Sequence, residues 1–200
     1  NQELRDLTTY QQLLSIPTLC SPNLVNSIIQ FYELTTTQAE YIAKYMNNSE
    51  WMDYIEGNCL PFFNKVLTLQ QYASDNNIHT ICEIGFNSGY SAINMLLANP
   101  NARYIGFDIM MNSYSAAAVQ SIHELFPSVK QAVSFLRNTC NLVFIDGDHT
   151  YKGILADINN IIPLLNTTYH KIIIDDIDIP AVNELWAHLN PSLFSIYPEI

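Results

Sequence analysis

The stretch that most constrains the fold is residues 79–91, HTICEIGFNSGYS. Its first half is a short apolar run, which predicts a buried β-strand. Gly85 and Gly89 enclose a tight turn, and the residues from Tyr90 onward follow a helical pattern. A strand, a glycine turn and a helix N-terminus in this order form half of a nucleotide-type βαβ unit. The stretch therefore predicts the first strand and helix of an α/β domain.

The chain after this stretch alternates between short apolar strands and amphipathic helices. The predicted pairs are strand 79–85 with helix 89–98, strand 103–108 with helix 113–125, strand 141–146 with helix 151–165, and strand 171–175 with helix 179–189. Such alternation predicts the α/β class, with a mostly parallel twisted sheet and helices on both faces. A last apolar run at 193–197 predicts an edge strand.

Residues 1–78 have a helical pattern and contain none of these strands. Helices are predicted to start at Pro22, at Thr37, which has a glutamate at capping-box spacing, and at Pro61. We therefore divide the chain into an N-terminal helical extension, 1–78, and an α/β domain, 79–200. The apolar helices of the extension could cover a cleft or form an interface in a homo-oligomer.

Composition limits the partners and the compartment. The chain has 8 Lys+Arg against 19 Asp+Glu, a formal net charge of −11. Because tight binding to a phosphate backbone depends on Lys and Arg, nucleic acid is disfavoured as a partner. No apolar run approaches the roughly 20 residues that span a bilayer, so no membrane partner is expected. The four cysteines show no CxxC motif, and we expect Cys82 and Cys140 to be small core residues in a reducing, cytoplasmic compartment.

Every predicted strand ends in a carboxylate: Glu83, Asp108, Asp146, and Asp175 with Asp176. In a parallel sheet, ligands bind at these carboxyl ends, near the topological switch point. One carboxylate there is often only a helix N-cap, but four in succession indicate a site. Asp108 lies about 20 residues beyond the glycine turn, where an acidic side chain accepts the hydroxyls of a ribose. The turn lacks the GxGxxG spacing of dinucleotide-binding proteins, which weighs against NAD.

Four motifs in this order carry a family resemblance: 83–91 (EIGFNSGYS), 106–108 (GFD), 142–151 (LVFIDGDHTY) and 174–177 (IDDI). They resemble the class I S-adenosylmethionine-dependent methyltransferases. Within that class they are similar to an O-methyltransferase-like branch with an IDGDH motif, related to catechol and macrolide-sugar O-methyltransferases. The resemblance covers about residues 79–190 and implies a Rossmann-like methyltransferase fold.

The resemblance implies a cofactor site around the turn and the second strand end. The methionine part of S-adenosylmethionine would lie against the turn, with its carboxylate near Ser91 at the helix N-terminus. Asp108 would hold the ribose, Ile109 would pack on the adenine, and Asp146 would lie beside the sulfonium. The implied cofactor-binding residues are Glu83, Gly85, Phe86, Asn87, Gly89, Tyr90, Ser91, Asp108, Ile109 and Asp146.

The resemblance also implies a metal and a pair of catalytic residues. In metal-dependent relatives, acidic residues at two strand ends bind Mg²⁺, and Asp146, Asp175 and Asp176 match those positions. Such oxygen ligands suit a hard cation, which would lower the pKa of an acceptor hydroxyl. Asp146 and His149 are the implied catalytic residues, because His149 could remove the proton. The alternatives are that Asp175 and Asp176 only begin a loop, that Asp146 serves the cofactor alone, and that His149 is a hydrogen-bonded loop histidine.

One part of the family pattern is missing from this sequence. The family places a further strand and a Gly-Asp-Ser-like turn, which contacts the adenine, before the strand at 141–146. Here only residues 126–131 precede a helical stretch at 132–138, which hardly leaves room for a strand of normal length. We therefore predict that the sequence lacks residues near 126–131. Continuous Cα spacing of about 3.8 Å through this part would refute the prediction.

The predicted function is transfer of the methyl group of S-adenosylmethionine to an oxygen of a small-molecule or sugar acceptor. Placement and dehydration of the reacting pair would supply most of the rate. The first alternative is a non-catalytic cofactor-binding or scaffold domain of the same fold. The second is an NAD-dependent oxidoreductase, which the glycine spacing disfavours.

Overall fold

The structure is a computed structural model that describes residues 22–46, 55, 63–127 and 137–189. Within these ranges one sheet is formed by the strands β1 (Thr80–Ile84), β2 (Arg103–Phe107), β3 (Leu142–Ile145) and β4 (Lys171–Ile174). The strand order is β2-β1-β3-β4, and every neighbouring pair is parallel. The predicted α/β class and parallel sheet are confirmed.

The position of β1 creates the crevice for a ligand. Its neighbours are β2 on one side and β3 on the other, so the strand order reverses at β1. In parallel sheets such a reversal opens a crevice at the carboxyl ends of the strands. The glycine turn follows β1 and Asp146 follows β3, and both therefore lie at this crevice.

The helices of the described ranges are α1 (Pro22–Tyr45), α2 (Phe63–Ala73), α3 (Tyr90–Ala98), α4 (Ser115–Leu125), α5 (Tyr151–Ile161) and α6 (Pro180–His188), with a 3₁₀ turn at Ile162–Leu164. Their starts have local causes. At α5 the Thr150 hydroxyl accepts a hydrogen bond of 3.1 Å from the Gly153 N–H, and α6 begins with a proline. None of these helices is long and apolar enough to cross a membrane.

The prediction that a new helix starts at Thr37 is wrong. Residues 22–45 form one continuous helix, α1. The Thr37 hydroxyl donates to the Glu33 carbonyl at 2.9 Å, and Thr36 does the same to Tyr32 at 2.9 Å. Because a mid-helix threonine can satisfy its hydroxyl on the preceding turn, it need not act as a cap.

Two apolar layers lie on opposite faces of the sheet. Ile81 and Phe144 point into the layer under α1, α2, α3 and α4, whereas Cys82 and Val143 point into the layer under α5 and α6. Successive residues of β1 and of β3 thus alternate between the two layers, as the period of a strand requires. Helices on both faces are therefore confirmed.

Helices α1 and α2 belong to the first of these layers. Phe31 of α1 and Leu69 of α2 are fully buried, in one cluster with Ile93 of α3. Burying each such side chain contributes about 1.5–3 kcal/mol. The described part of the predicted N-terminal extension thus shares its hydrophobic core with the residues from 79 onward.

Cys82 and Cys140 occupy the predicted core positions but not as free thiols. Both are fully buried, and they form a disulfide across a separation of 58 residues. Their sequence context gives no sign of this, because the pairing depends on β1 and the start of β3 becoming neighbours. In the chain-entropy treatment a loop of this length gives about 4 kcal/mol of stabilisation. Disulfides are rare in cytosolic proteins, so this one counts against the predicted reducing compartment.

Two sequence predictions fall outside the described residues. One is the edge strand at 193–197. The other is the lack of residues near 126–131, since the structure describes nothing between 127 and 137. Both stay predictions.

An ion pair between Asp75, which follows α2, and Lys171, the first residue of β4, joins these two elements. The Asp75 carboxylate accepts hydrogen bonds from Lys171 Nζ at 2.7 Å and from the Tyr169 hydroxyl at 2.5 Å, and a third from the Asn77 N–H at 2.9 Å. The Lys171 ammonium also lies 5.0 Å from the centre of the Tyr72 ring. These donors hold the pKa of Asp75 well below its ordinary value of 3.8.

We expect Asp75→Asn to lower the free energy of unfolding at pH 7. The folded chain favours the ionised carboxylate, so its contribution is complete above pH 3.8 and is lost progressively as the pH falls below that value. The loss caused by the substitution should therefore shrink in acid. Urea unfolding at pH 7 and at pH 3 measures it, with exposed Glu40→Gln as the charge-matched control. The account is contradicted if Asp75→Asn loses the same free energy of unfolding at both pH values. It is also contradicted if Glu40→Gln loses as much as Asp75→Asn.

Candidate active site

The turn after β1 has a backbone that favours small residues. Gly85 and Gly89 have positive φ angles of 91° and 79°, and Asn87 has a φ of 47°. A Cβ atom on Gly85 would lie 1.8 Å from the carbonyl oxygen of Asp146. The ends of β1 and β3 are thus in direct backbone contact, which only the absence of a side chain permits.

Two aromatic residues of the turn face the core. Phe86 is 5% exposed and packs edge-on against Tyr104, with ring centroids 6.4 Å apart. Its ring is also the nearest neighbour of a Cβ placed on Gly89, at 2.7 Å. Tyr90, the first residue of α3, is 4% exposed. Phe86 and Tyr90 are thus largely buried and help to shape the turn, and their predicted contact with the cofactor stays a prediction.

Glu83 joins β1 to the first turn of α3. Its carboxyl group is fully buried and accepts hydrogen bonds from the hydroxyls of Ser91 and Tyr104. Burial raises the pKa of Glu83 to about 8, although both hydrogen bonds act in the opposite direction. The structure thus brings the predicted cofactor residues Glu83 and Ser91 into contact with each other beneath the turn.

Asp108 connects the turn to the loop after β2. One of its carboxylate oxygens accepts a hydrogen bond of 2.7 Å from the Asn87 N–H, and the other accepts one of 2.5 Å from the Met110 N–H. The Asn87 side-chain oxygen in turn accepts from Asn112 at 3.0 Å and from Tyr114 at 2.8 Å. Each carboxylate oxygen has a second lone pair, so Asp108 could still accept the hydroxyls of a ribose.

Beside Asp108 lie a cavity and an exposed apolar loop. The cavity has a volume of about 390 Å³ and lies between β2 and α4, with Gly106 and Val119 among its lining residues. In the loop after Asp108, Ile109 is 82% exposed and Met111 is 80% exposed. Large apolar side chains at this exposure offer a surface for a flat aromatic ring.

The side chain of Gln38 in α1 is hydrogen-bonded to the turn. The sequence alone does not predict this contact. The buried side-chain nitrogen donates to the Ser88 carbonyl at 2.8 Å and to the Ala118 carbonyl of α4 at 3.2 Å. The only local sign of such a role is a polar residue on the buried face of an amphipathic helix. That sign does not identify the partner 50 residues away.

The carboxyl ends of β3 and β4 bring charged groups together. Lys65 of α2 donates to the carboxylates of Asp146, at 3.3 Å, and of Asp175. On the other side of Asp146, the His149 Nε2 atom lies 3.0 Å from an Asp176 oxygen and 3.6 Å from an Asp146 oxygen. Asp146 is therefore the carboxylate common to both halves of the cluster.

The pKa of Asp146 reflects this position. Burial raises it to about 6, Lys65 acts to lower it, and the neighbouring carboxylate of Asp175 raises it. The pKa of Asp176 is also raised, first by burial and then by Asp175. A carboxylate with its pKa near neutrality is well suited to exchange a proton with a bound ligand.

Asp146, His149 and Asp176 fit a divalent cation. Each offers one ligand atom, and these atoms all lie within 4.8 Å of one another. Two carboxylate oxygens and one imidazole nitrogen are donors that divalent cations accept. The sequence predicts Asp175 where this group has His149, but in the structure the Asp175 carboxylate is bound by Lys65. The metal role of all these residues stays a prediction.

Comparison with known proteins gives one family match and one structural match. Residues 82–177 match a family described as a methyltransferase domain. One solved structure with a similar fold is the apo form of CalS11, a TDP-rhamnose 3'-O-methyltransferase in calicheamicin biosynthesis. It has 17% sequence identity, the alignment covers 84% of this chain and 86% of that chain, and the TM-score is 0.48. No curated protein matches the chain.

Residues 82–177 therefore belong to the methyltransferase-domain family. The matched range begins in β1 and ends after β4, so it contains the glycine turn, Asp108 and the acidic residues and histidine of the charged cluster, but not Lys65. These residues form the S-adenosylmethionine-dependent methyltransferase domain with a Rossmann-like fold that the four motifs predict.

Proposed function

We propose that the protein transfers the methyl group of S-adenosylmethionine to a hydroxyl oxygen of a small-molecule or sugar acceptor. The observation that carries this proposal is that Lys65 and His149 meet at Asp146, whose backbone lies against Gly85 of the turn. A hydroxyl must lose a proton when its oxygen is methylated, and two groups that can accept one lie here. Nucleic acid stays disfavoured as an acceptor because of the net charge of −11.

The cofactor would lie along the crevice from the turn to the loop after β2. The turn residues Gly85, Asn87 and Gly89 would contact its amino-acid part. Asp108 would accept its ribose hydroxyls, and Ile109 would pack on its adenine. Glu83 and Ser91 would stabilise the turn that contacts the cofactor, because their hydrogen bond joins β1 to the first turn of α3.

The reaction is a direct displacement. S-adenosylmethionine, when bound, supplies a methyl group on a positively charged sulfur. The chain must place the acceptor oxygen in line with that methyl group and receive the proton that the oxygen gives up. Asp146 is the proposed acceptor of this proton, with His149 at 3.6 Å as the group that passes it to solvent.

A divalent cation bound by Asp146, His149 and Asp176 would be the alternative to this proton transfer, because it would occupy the atoms of Asp146 and His149 that accept the proton. It would instead lower the pKa of the acceptor hydroxyl, so that the proton is lost to solvent. Mg²⁺ is the cation that the resemblance implies, and the imidazole donor extends the set to Mn²⁺. Asp175 would then balance Lys65 rather than bind the metal. Loss of turnover in EDTA and its recovery with Mg²⁺ would be the result required for a metal-assisted reaction.

Ligand binding and a search for the acceptor test the proposal. Isothermal titration should show binding of S-adenosylhomocysteine and none of NAD. A panel of phenols and nucleotide sugars, followed by formation of S-adenosylhomocysteine, should then identify an acceptor. Binding without turnover on any acceptor would favour the non-catalytic alternative, and binding of NAD would favour an oxidoreductase.

We expect Asp108→Asn to weaken S-adenosylhomocysteine binding by at least about tenfold, since a hydrogen bond to a charged group contributes about 1.5–3 kcal/mol. Asparagine has one side-chain oxygen, so it can accept only some of the hydrogen bonds that the two carboxylate oxygens accept. Isothermal titration measures the change, and exposed Asp178→Asn serves as the charge-matched control. Equal affinities in the two variants would remove Asp108 from the cofactor site.

A further inference from the structure

Lys65 comes from outside the matched methyltransferase range and reaches into its charged cluster. It lies in the first half of α2, whereas the family match begins at residue 82. Its side chain is 24% exposed, so the ammonium is partly removed from solvent. Neither the family motifs nor the spacing of the carboxylates accounts for a lysine at this position.

The surroundings of Lys65 hold the ammonium between two strand ends. It is hydrogen-bonded to the carboxylate of Asp175 and lies 3.3 Å from an oxygen of Asp146. It also lies 5.4 Å from the centre of the Phe144 ring, which offers its face to a cation. Each of these three contacts favours a positive charge on Lys65, and each is made by β3 or by a residue that directly follows β3 or β4.

The same Asp146 carboxylate is shared with the candidate metal group. One of its oxygens faces Lys65, and the other faces His149 at 3.6 Å. A cation held by Asp146, His149 and Asp176 would therefore use a carboxylate that already carries an ammonium partner. Two cations on one carboxylate repel each other, and each weakens the binding of the other.

We propose that Lys65 is an internal cation of the acceptor site, which competes with a divalent metal for Asp146 and keeps the metal affinity of the site low. When the site holds no metal, the ammonium neutralises Asp146 and Asp175. When a metal binds to the Asp146 oxygen that faces His149, the metal and the ammonium repel each other across one carboxylate, whereas Asp175 remains a partner of Lys65. The inference rests on the proposed metal group of the methyl-transfer site, and it makes a segment outside the matched domain the regulator of that group.

Direct measurement of Mn²⁺ binding tests this competition without need of the methyl acceptor. Mn²⁺ is titrated into the full chain and the free ion is followed by electron paramagnetic resonance. The variant Lys65→Met keeps an unbranched side chain against Phe144 and removes the charge. We expect it to bind Mn²⁺ at least about tenfold more tightly than the unmodified protein, the scale on which one neighbouring charge shifts proton binding to a carboxylate.

Two further variants separate a local effect from the overall charge. Lys44→Met removes one positive charge from an exposed position at the end of α1 and should leave the Mn²⁺ affinity unchanged. Lys65→Arg keeps the charge and should bind Mn²⁺ as weakly as the unmodified protein. If Lys65→Met loses the far-ultraviolet circular dichroism of the folded chain, Lys65→Gln takes its place.

The inference is overturned if Lys65→Met or its glutamine substitute binds Mn²⁺ no more tightly than the unmodified protein. It is equally overturned if Lys44→Met gains as much affinity, or if neither protein binds Mn²⁺ at all. Titration of the same samples with S-adenosylhomocysteine distinguishes this failure from failure of the proposed function. If the protein binds S-adenosylhomocysteine but substitution of Lys65 does not change its Mn²⁺ affinity, the proposed function stands and only the proposed competition between Lys65 and the metal is rejected.

Discussion

Gly85→Ala is expected to destabilise the protein by about 2–5 kcal/mol. The left-handed backbone costs a residue with a side chain about 1–2 kcal/mol, and overpacking costs about 1–3 kcal/mol more. Both apply here, because Gly85 has a φ of 91° and its Cβ would lie 1.8 Å from the Asp146 carbonyl oxygen. That oxygen belongs to backbone at the end of β3, so relief of the contact must separate β1 from β3.

Gly106→Ala is the matched control. Gly106 lies on β2 beside Glu83 of β1, and its nearest neighbour for an added Cβ is a Phe86 ring carbon at 3.4 Å, an ordinary contact. Its stability in urea unfolding should remain close to that of the unmodified protein. Equal losses of stability in the two variants would show that the close approach of the turn to Asp146 is not what requires Gly85.

The sheet and the helices beside it could be predicted because their signals are local. The apolar run at 79–85 became β1, Thr80–Ile84, and the run at 171–175 became β4, Lys171–Ile174. The central strands β1 and β3 are buried between the two layers of helices. A short apolar run followed by a helical period suffices to recognise such a strand–helix unit. The same local order placed Asp108 after β2, where it meets the turn.

Residues that act over long separations in sequence could not be predicted in this way. Lys65 reaches Asp146 across 81 positions and Asp175 across 110. Gln38 reaches Ser88 across 50 positions, and the disulfide joins Cys82 to Cys140 across 58. These pairings depend on how whole helices and strands pack, and no period in the sequence carries that information.

The charged cluster shows the same limit at shorter range. The sequence places Asp175 and Asp176 next to each other, which suggests one shared ligand. In the structure Asp175 has an ordinary backbone, Asp176 has a positive φ of 54°, and the two carboxylates contact Lys65 and His149 respectively. The two adjacent carboxylates thus have different partners, and residue type alone does not reveal which of them joins the candidate metal group.

Asp146→Asn is expected to lower the rate of methyl transfer by about 10²–10⁴-fold, the range that a positioned proton acceptor contributes. Asparagine preserves the shape of the side chain and can still accept from Lys65, but it cannot take up the proton of an acceptor hydroxyl. Affinity for S-adenosylhomocysteine, which lacks the sulfonium charge, should stay unchanged if Asp146 serves the reaction rather than the neutral part of the cofactor. The rate is measured with the acceptor that the panel identifies.

Asp178→Asn gives this experiment its control, because it makes the same chemical change at an exposed position three residues beyond Asp175. Its rate should match that of the unmodified protein. If Asp146→Asn has the same rate as the control, another group accepts the proton. His149 is then the candidate, because its Nε2 atom lies 3.6 Å from an Asp146 oxygen. A variant that loses both rate and S-adenosylhomocysteine affinity would instead place Asp146 in the cofactor site, with the acceptor proton again left to His149.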